Sequence, residues 1–249
     1  SLRGLVDGVI VVDQKMEPVH SGLGGGVVPD AFMILSRIIS SFHNDKGELL
    51  IEGLTPTEQD VFELSDEFVK SSLSSNGVEL FEMDSYSKRL WLEPALSILA
   101  IDAPPIAESV NLLIPKAKAK VSLRLPPTED PDHAMNMLEQ HIKENTPFNA
   151  NVEFIPEAKG KGILVDPRNE FSSKLIESFN KHWENEVAYM GVGGSIPFAN
   201  VFINEFPNSE IVLVGAGDEE GNAHAPNESV NISDIQRLID SLTDAISNY

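Results

Sequence analysis

The segment KAKAKVSLRL, residues 116–125, alternates strictly between polar and apolar side chains. Successive side chains of a β-strand point to opposite faces of the sheet, so this segment predicts a strand with one buried face. Its other face, which carries Arg124, is open to water or to a ligand. The rest of the first domain can be assigned outward from this strand.

Five further elements surround the alternating strand. Residues 4–14 and 95–101 predict strands before it, and residues 150–156 predict a strand after it. Apolar side chains at helical spacing predict one helix that opens at Val28-Pro29-Asp30 and ends near His43 to Gly47, and another over residues 131–145. The order β-α-β-β-α-β is that of the ferredoxin-like split unit, in which two helices cover one face of a four-stranded antiparallel sheet.

This order predicts an α+β ferredoxin-like domain, the lid, over residues 1–158. A loosely patterned helical segment at residues 57–71 indicates an insertion into it. A second domain is predicted over residues 159–249, after a joint rich in glycine and lysine. Its predicted helices and strands alternate: a helix at 169–184, a strand at 187–190, a helix after Pro197, a strand at 210–216 and a helix at 233–247.

The strand predicted at residues 210–216 is apolar on both faces, which is typical of a central parallel strand covered by helices on both sides. Such a strand needs neighbours, and two strands cannot supply them. We therefore expect the second domain to be an incomplete α/β three-layer half-domain. The missing half is expected to precede Ser1 in a longer polypeptide.

Composition excludes several classes of function. The 249 residues include 18 Lys and Arg against 39 Asp and Glu, a formal net charge of -21 that repels nucleic acids and anionic membranes. There is no cysteine, so a metal ion must be held by oxygen and imidazole, and a cytoplasmic location is compatible with this composition. No apolar run is long enough for a membrane span, and no signal peptide is visible.

Three candidate functional residues belong to the first domain. His20 is followed by Ser21 and a glycine-rich stretch, where backbone can approach a ligand closely. Asn111 can donate to a polarised carbonyl oxygen, and Arg124 can bind a carboxylate through two hydrogen bonds. A flexible loop and solvated side chains are the ordinary alternatives for all three.

Three more candidates belong to the second domain. Gly194 and Ser195 lie between a predicted strand and a predicted helix, where backbone N–H groups can bind a carboxylate. His224 follows the buried strand at the edge where α/β sheets place their ligands, and imidazole is a common metal ligand. A tight turn and a solvated loop histidine explain these residues equally well in isolation.

Several short motifs along the chain together resemble the di-zinc exopeptidases, a family that includes carnosinase, related cytosolic dipeptidases, aminoacylase and succinyl-diaminopimelate desuccinylase. The resemblance is greatest to the carnosinase-type dipeptidases. It rests on Leu2-Arg3-Gly4, His20-Ser21-Gly22, Asp45-Lys46-Gly47 through Gly53-Leu54, Asn111 to Pro115, Ser122 to Leu125, Gly193 to Pro197, and His224 to Glu228.

The resemblance implies roles for the candidates in a homodimer that forms through the lid domain. His20 is expected to enter the partner's site and to stabilise the oxyanion formed on the substrate. Asn111 and Arg124 correspond to lid positions that bind the substrate's carbonyl or carboxylate group. Gly194 and Ser195 correspond to a loop that binds the terminal carboxylate of the substrate.

The resemblance also implies two divalent metal ions, zinc foremost, with His224 as one terminal ligand. The remaining ligands and the general base belong to the family's N-terminal half, which this sequence does not contain. We therefore expect hydrolysis of dipeptides or N-acyl amino acids by the intact parent and no activity from this chain alone. Manganese and cobalt remain alternatives to zinc, and diaminopimelate-type compounds remain alternative substrates.

Two other hypotheses compete with the exopeptidase. One is a non-catalytic dimerising ferredoxin-like module that binds a small carboxylate or a protein partner. The other is a Rossmann-like binding domain, which the sequence disfavours because no Gly-x-Gly-x-x-Gly turn joins a strand to a helix.

Overall fold

The computed structural model of the protein describes residues 1–72, 77, 79–193, 197–206, 208–218, 221–222 and 225–249. It divides into two compact units, Ser1–Ile163 with Met190–Ile196, and Leu164–Tyr189 with Pro197–Tyr249. The first unit extends beyond the boundary predicted at residue 158. Within the described residues, no helix has both the length and the apolar character needed to cross a bilayer.

The first unit contains six strands and five α-helices within its described residues. In chain order they are β1 (Gly4–Asp13), β2 (Val19–His20), α1 (Ser21–Gly24), α2 (Ala31–Ser40), α3 (Asp66–Ser72), α4 (Tyr86–Trp91), β3 (Ala95–Asp102), β4 (Leu112–Leu113), β5 (Lys116–Leu125), α5 (Pro131–Glu144) and β6 (Val152–Gly160). The second unit contains α6 (Glu170–His182), α7 (Pro197–Glu205) and α8 (Ile232–Ser247).

Four strands of the first unit form one sheet in the order β3-β5-β1-β6. Every neighbouring pair is antiparallel. The alternating strand β5 pairs along its whole length with β1, from Leu125 opposite Gly4 to Lys116 opposite Asp13. The four strands and two helices that the sequence predicts for this region are all present, and β5 lies inside the sheet, as its apolar face requires.

Helices α2 and α5 pack on one face of this sheet, where the main core lies. Each helix begins at an aspartate whose side chain accepts a backbone N–H: Asp30 from Met33 at 2.9 Å and Asp130 from Asp132 at 2.8 Å. Each fully buried aliphatic side chain contributes about 1.5–3 kcal/mol. The buried aliphatic side chains of β1 and β5 are Val6, Ile10, Val12, Ala117, Ala119, Val121, Leu123 and Leu125.

The insertion between α2 and β3 differs from its prediction. The helix begins only at Asp66, whereas residues 57–65 are not helical. The N–H of Leu64 donates to the hydroxyl oxygen of Ser87 at 2.8 Å, so this stretch bonds to another segment instead of to its own preceding turn. The insertion has a separate small core of Leu64, Val69, Trp91 and Leu92.

The second unit is helical. Helices α6 and α8 pack together at small side chains, and the Ser178 hydroxyl donates to the Ser241 carbonyl at 2.7 Å. The three helices predicted for this part of the chain are confirmed.

The strands predicted for the second unit at 187–190 and 210–216 are not formed, and the described part of this unit contains no strand. The prediction of a half-sheet in this chain is therefore wrong. A strand is stable only when its backbone groups pair with a neighbour, and no described residue offers that pairing. Leu213 and Val214 are accordingly exposed, at 50% and 43%.

Glu210, the first residue of the expected strand, instead caps a helix. Its carboxylate accepts from the N–H groups of Phe171 and Ser172, at 3.1 and 2.9 Å, in the first turn of α6. Asn169, the residue before that helix, makes no side-chain cap of its own. Partial burial raises the pKa of Glu210, but the hydrogen bonds from Phe171 and Ser172 outweigh it, and the net pKa is lowered.

Replacement of Gly8 by alanine tests the packing of β1 against β6. A methyl group at Gly8 would overlap the ring of Phe154 and approach the Ile155 carbonyl oxygen to 2.9 Å. We expect the Gly8→Ala variant to lose about 1–3 kcal/mol in urea unfolding. Gly160 in β6 has nothing within 4 Å of such a methyl group, so Gly160→Ala is the control and should change stability by less than about 0.5 kcal/mol. Equal losses in both variants would contradict this packing.

Replacement of Glu210 by glutamine tests the helix cap. The folded-state pKa lies below the ordinary value of 4.5, so ionised Glu210 stabilises the protein above that pH and less so as the pH falls below it. We expect Glu210→Gln to lower the free energy of unfolding by about 1 kcal/mol at pH 7 and the loss to shrink below pH 4.5. Glu177→Gln, an exposed change in the same helix, is the control. A loss that does not depend on pH would refute the cap.

Candidate functional site

Two candidate residues from distant parts of the sequence lie next to each other. Strands β2 and β4 form a two-stranded ribbon in which His20 is opposite Leu112. The N–H of Ser21 donates to the carbonyl oxygen of Asn111 at 2.8 Å. His20 and Asn111 are both exposed.

Backbone hydrogen bonds attach this ribbon to one end of the main sheet. The carbonyl oxygen of Ile114 accepts from Ala31 at the start of α2, at 2.8 Å. The carbonyl oxygen of Pro115 accepts from Gln14 at the end of β1, at 3.0 Å. The ribbon is therefore held where β1 ends and β5 begins.

The hydrogen bond made by His20 decides which ring nitrogen carries the proton. Nδ1 accepts from the N–H of Gly22 at 3.0 Å. A neutral imidazole that accepts at Nδ1 is protonated at Nε2. His20 Nε2 has no hydrogen-bond partner within the described ranges, so this N–H can donate to an oxygen that gains negative charge.

Arg124 lies at the opposite end of β5. It is opposite Leu5 of β1 and Ala95 of β3, and it is half-buried. No described residue makes a hydrogen bond or an ion pair with its guanidinium. Because a strand rises about 3.3 Å per residue, Arg124 is roughly 26 Å from Lys116, where β5 starts beside the ribbon. The structure brings His20 and Asn111 together and separates both from Arg124.

Sequence reasoning assigned no role to Arg3, which the structure places near Arg124. Arg3 is only 8% exposed, and its Nε donates to the carbonyl oxygen of Gly193 at 3.4 Å. Burial, and secondarily the charge of Arg124, lower the pKa of Arg3 to about 10. The sequence feature that could have indicated this buried charge is the position of Arg3, between Leu2 and the apolar residues at the start of β1.

The remaining candidates, Gly194, Ser195 and His224, lie outside the described residues. Among the described residues, no group of three or more His, Cys, Asp or Glu side chains could hold a metal ion. The described residues therefore do not form a metal centre, and the predicted pair of metal ions cannot be assigned to them.

Residues 1–150 match the peptidase dimerisation domain, and the chain belongs to that family.

Among the relatives are two dipeptidases. The cysteinylglycine-S-conjugate dipeptidase of Corynebacterium striatum is 30% identical over 247 residues, which cover 95% of this chain and 53% of that protein. The Cys-Gly metallodipeptidase DUG1 of Saccharomyces cerevisiae is 26% identical over 256 residues, which cover 94% of this chain and 51% of that protein. The chain thus spans about half the length of these relatives.

Two solved structures share the fold. The di-peptidase Dug1p of Saccharomyces cerevisiae superposes with a TM-score of 0.76 and 22% identity, covering 98% of this chain and 54% of that chain. Human carnosine dipeptidase 1 superposes with a TM-score of 0.71 and 18% identity, covering 100% of this chain and 56% of that chain. The family match and the dipeptidase relatives confirm the relation to exopeptidases that the sequence motifs indicate.

The protonation of His20 can be tested by nitrogen NMR of the imidazole rings. At a pH where the rings are neutral, we expect His20 to carry its proton on Nε2, because Nδ1 accepts from Gly22. His133 is an internal control, because its Nδ1 lies 2.8 Å from a carboxylate oxygen of Glu129 and must carry the proton instead. The two histidines should therefore show opposite tautomers, and the same tautomer in both would contradict the site geometry.

Proposed function

We propose that this chain is the lid and part of the substrate site of a metal-dependent dipeptidase that works as a homodimer. The dimerisation domain and the dipeptidases among its relatives support this proposal. The order of strands β3-β5-β1-β6 supports a ferredoxin-like topology for the lid.

The observation that carries the proposal is the separation of the candidate residues. An extended dipeptide spans roughly 7 Å, whereas β5 separates the ribbon from Arg124 by roughly 26 Å. The side chains of His20, Asn111 and Arg124 from one lid therefore cannot all contact the same dipeptide. Two copies can do so when the ribbon of one lid lies over the Arg124 end of the other.

In this dimer, the local geometry of each candidate side chain is compatible with one role. Arg124, which has no described partner, binds the substrate carboxylate through two parallel hydrogen bonds. Nε2–H of His20 from the partner subunit donates to the oxyanion that forms when the amide carbonyl is attacked. Asn111, adjacent to His20, enters the same site from the same partner and donates to the substrate's carbonyl oxygen.

The rest of the site is proposed from the family resemblance. Gly194 and Ser195 bind the terminal carboxylate of a dipeptide or an N-acyl amino acid. Two divalent metal ions, zinc foremost, would activate water and polarise the carbonyl group, with His224 as one ligand. Because the described residues contain no other ligand cluster, we propose that this chain alone is inactive. A cytoplasmic location stays a prediction.

The non-catalytic module is the alternative function. It is not favoured, because the relatives that cover most of this chain are dipeptidases.

Mixing inactive variants of the full-length protein tests the shared site. His20→Ala should lower kcat/KM about 100- to 1000-fold, as expected for the loss of one oxyanion donor. Arg124→Met should also lose activity. When the two variants exchange subunits, each mixed dimer contains one intact site, so about a quarter of the wild-type activity should return.

The control is a mixture of His20→Ala with Asn111→Ala. Both residues enter a site from the same subunit, so no mixed dimer has an intact site and activity should not return. Dipeptide hydrolysis is measured with zinc or manganese supplied, and this 249-residue chain alone is the blank. Restoration in both mixtures or in neither would overturn the shared site.

A further inference from the structure

The first unit contains a small pocket of about 280 Å³ that none of the proposed steps uses. Its walls are mainly apolar, and they include Leu49, Leu80, Phe81 and Leu90 from the insertion and the segment before it. Strand β3 contributes the stretch around Leu96. A pocket of this size holds a compound about as large as an amino acid.

Three basic side chains line this pocket, those of Arg3, His43 and Arg89, and Tyr86 is its other titratable residue. Among the described residues no Asp or Glu lines it, although the chain carries a net charge of -21. Arg89 donates to the Gly47 carbonyl oxygen at 2.6 Å and forms an ion pair with Glu93 at 3.1 Å. The charge of Arg89 is therefore balanced.

His43 adds no positive charge to the pocket. Partial burial, and secondarily the nearby Arg89, lower the pKa of His43, so its ring is neutral at neutral pH. Arg3 is therefore the unbalanced charge of the pocket.

Arg3 is more than nine-tenths buried, and its Nη1 has no hydrogen-bond partner in the described part of the chain. Within the described residues its guanidinium makes one hydrogen bond, from Nε to the Gly193 carbonyl oxygen, and the charge of Arg124 repels it further. A buried guanidinium without an anionic partner is strongly destabilising. An anion that entered the pocket would supply the missing partner.

We propose that this pocket binds a small monocarboxylate with an apolar body, whose carboxylate pairs with Arg3. The planar guanidinium matches a carboxylate group, and the apolar walls match a short aliphatic or aromatic chain. A single unbalanced cation favours a monocarboxylate over a phosphate with two charges. The inference does not require the dipeptidase proposal, because it concerns binding and not hydrolysis.

Calorimetric titration of the chain with 3-phenylpropionate and with 3-phenylpropionamide tests this site. The two probes have nearly the same shape, and only the acid carries a charge. We expect the acid to bind with a Kd at least about tenfold lower than that of the amide. Arg3→Met should remove this preference, whereas Arg168→Met, which removes an exposed arginine paired with Asp166, should not.

Two further variants keep the test decisive if Arg3→Met does not fold. Met83→Trp fills the pocket without changing its charge, and it should weaken binding of the acid about tenfold or more. Arg124→Met should leave binding intact. The proposal is overturned if the wild-type chain binds neither probe, if it binds both equally, or if binding is lost in Arg124→Met and kept in Arg3→Met or Met83→Trp.

Discussion

The pairing of β5 with β1 on one side and with β3 on the other is the interaction on which the structure of the first unit depends. A ten-residue strand that is bonded along both edges cannot bend or shorten without breaking backbone hydrogen bonds. It therefore works as a rigid spacer. The ribbon with His20 and Asn111 is attached at one end of this spacer, and Arg124 projects from the other end, so the geometry of the candidate site follows from the length of one strand.

Two lysines on the sheet differ from the two arginines near its other end in their charge partners. On the open face of the sheet, Lys116 pairs with Asp13 at 3.0 Å and Lys120 pairs with Glu157 at 2.7 Å. Exposed pairs of this kind contribute little to stability, but each of these lysine charges already has a carboxylate partner. Arg3 and Arg124 differ, because neither has a carboxylate partner within the described ranges. Arg3 is in addition buried, and a buried charge needs a partner much more than an exposed one does.

Local patterns predicted most of the helices and the strands of the lid, because the spacing of apolar side chains is encoded within a few residues. They failed where stability depends on a distant partner. Residues 57–65 have polar helical spacing but bond to the segment around Ser87. Residues 210–216 are apolar enough for a strand but find no neighbour in the described chain, and Glu210 caps α6 instead. The short helix α4 was missed because it is only six residues long.

The sequence by itself determined the two faces of β5, the α+β class of the lid and, through several short motifs, the family. Only the tertiary structure decided that Asn111 lies beside His20 and not beside Arg124, that His20 presents Nε2–H, and that Arg3 is buried without a partner. The physical reason is that side-chain periodicity is a local property, whereas strand pairing joins residues about ninety positions apart. This pairing determines which side chains lie next to each other and which are buried.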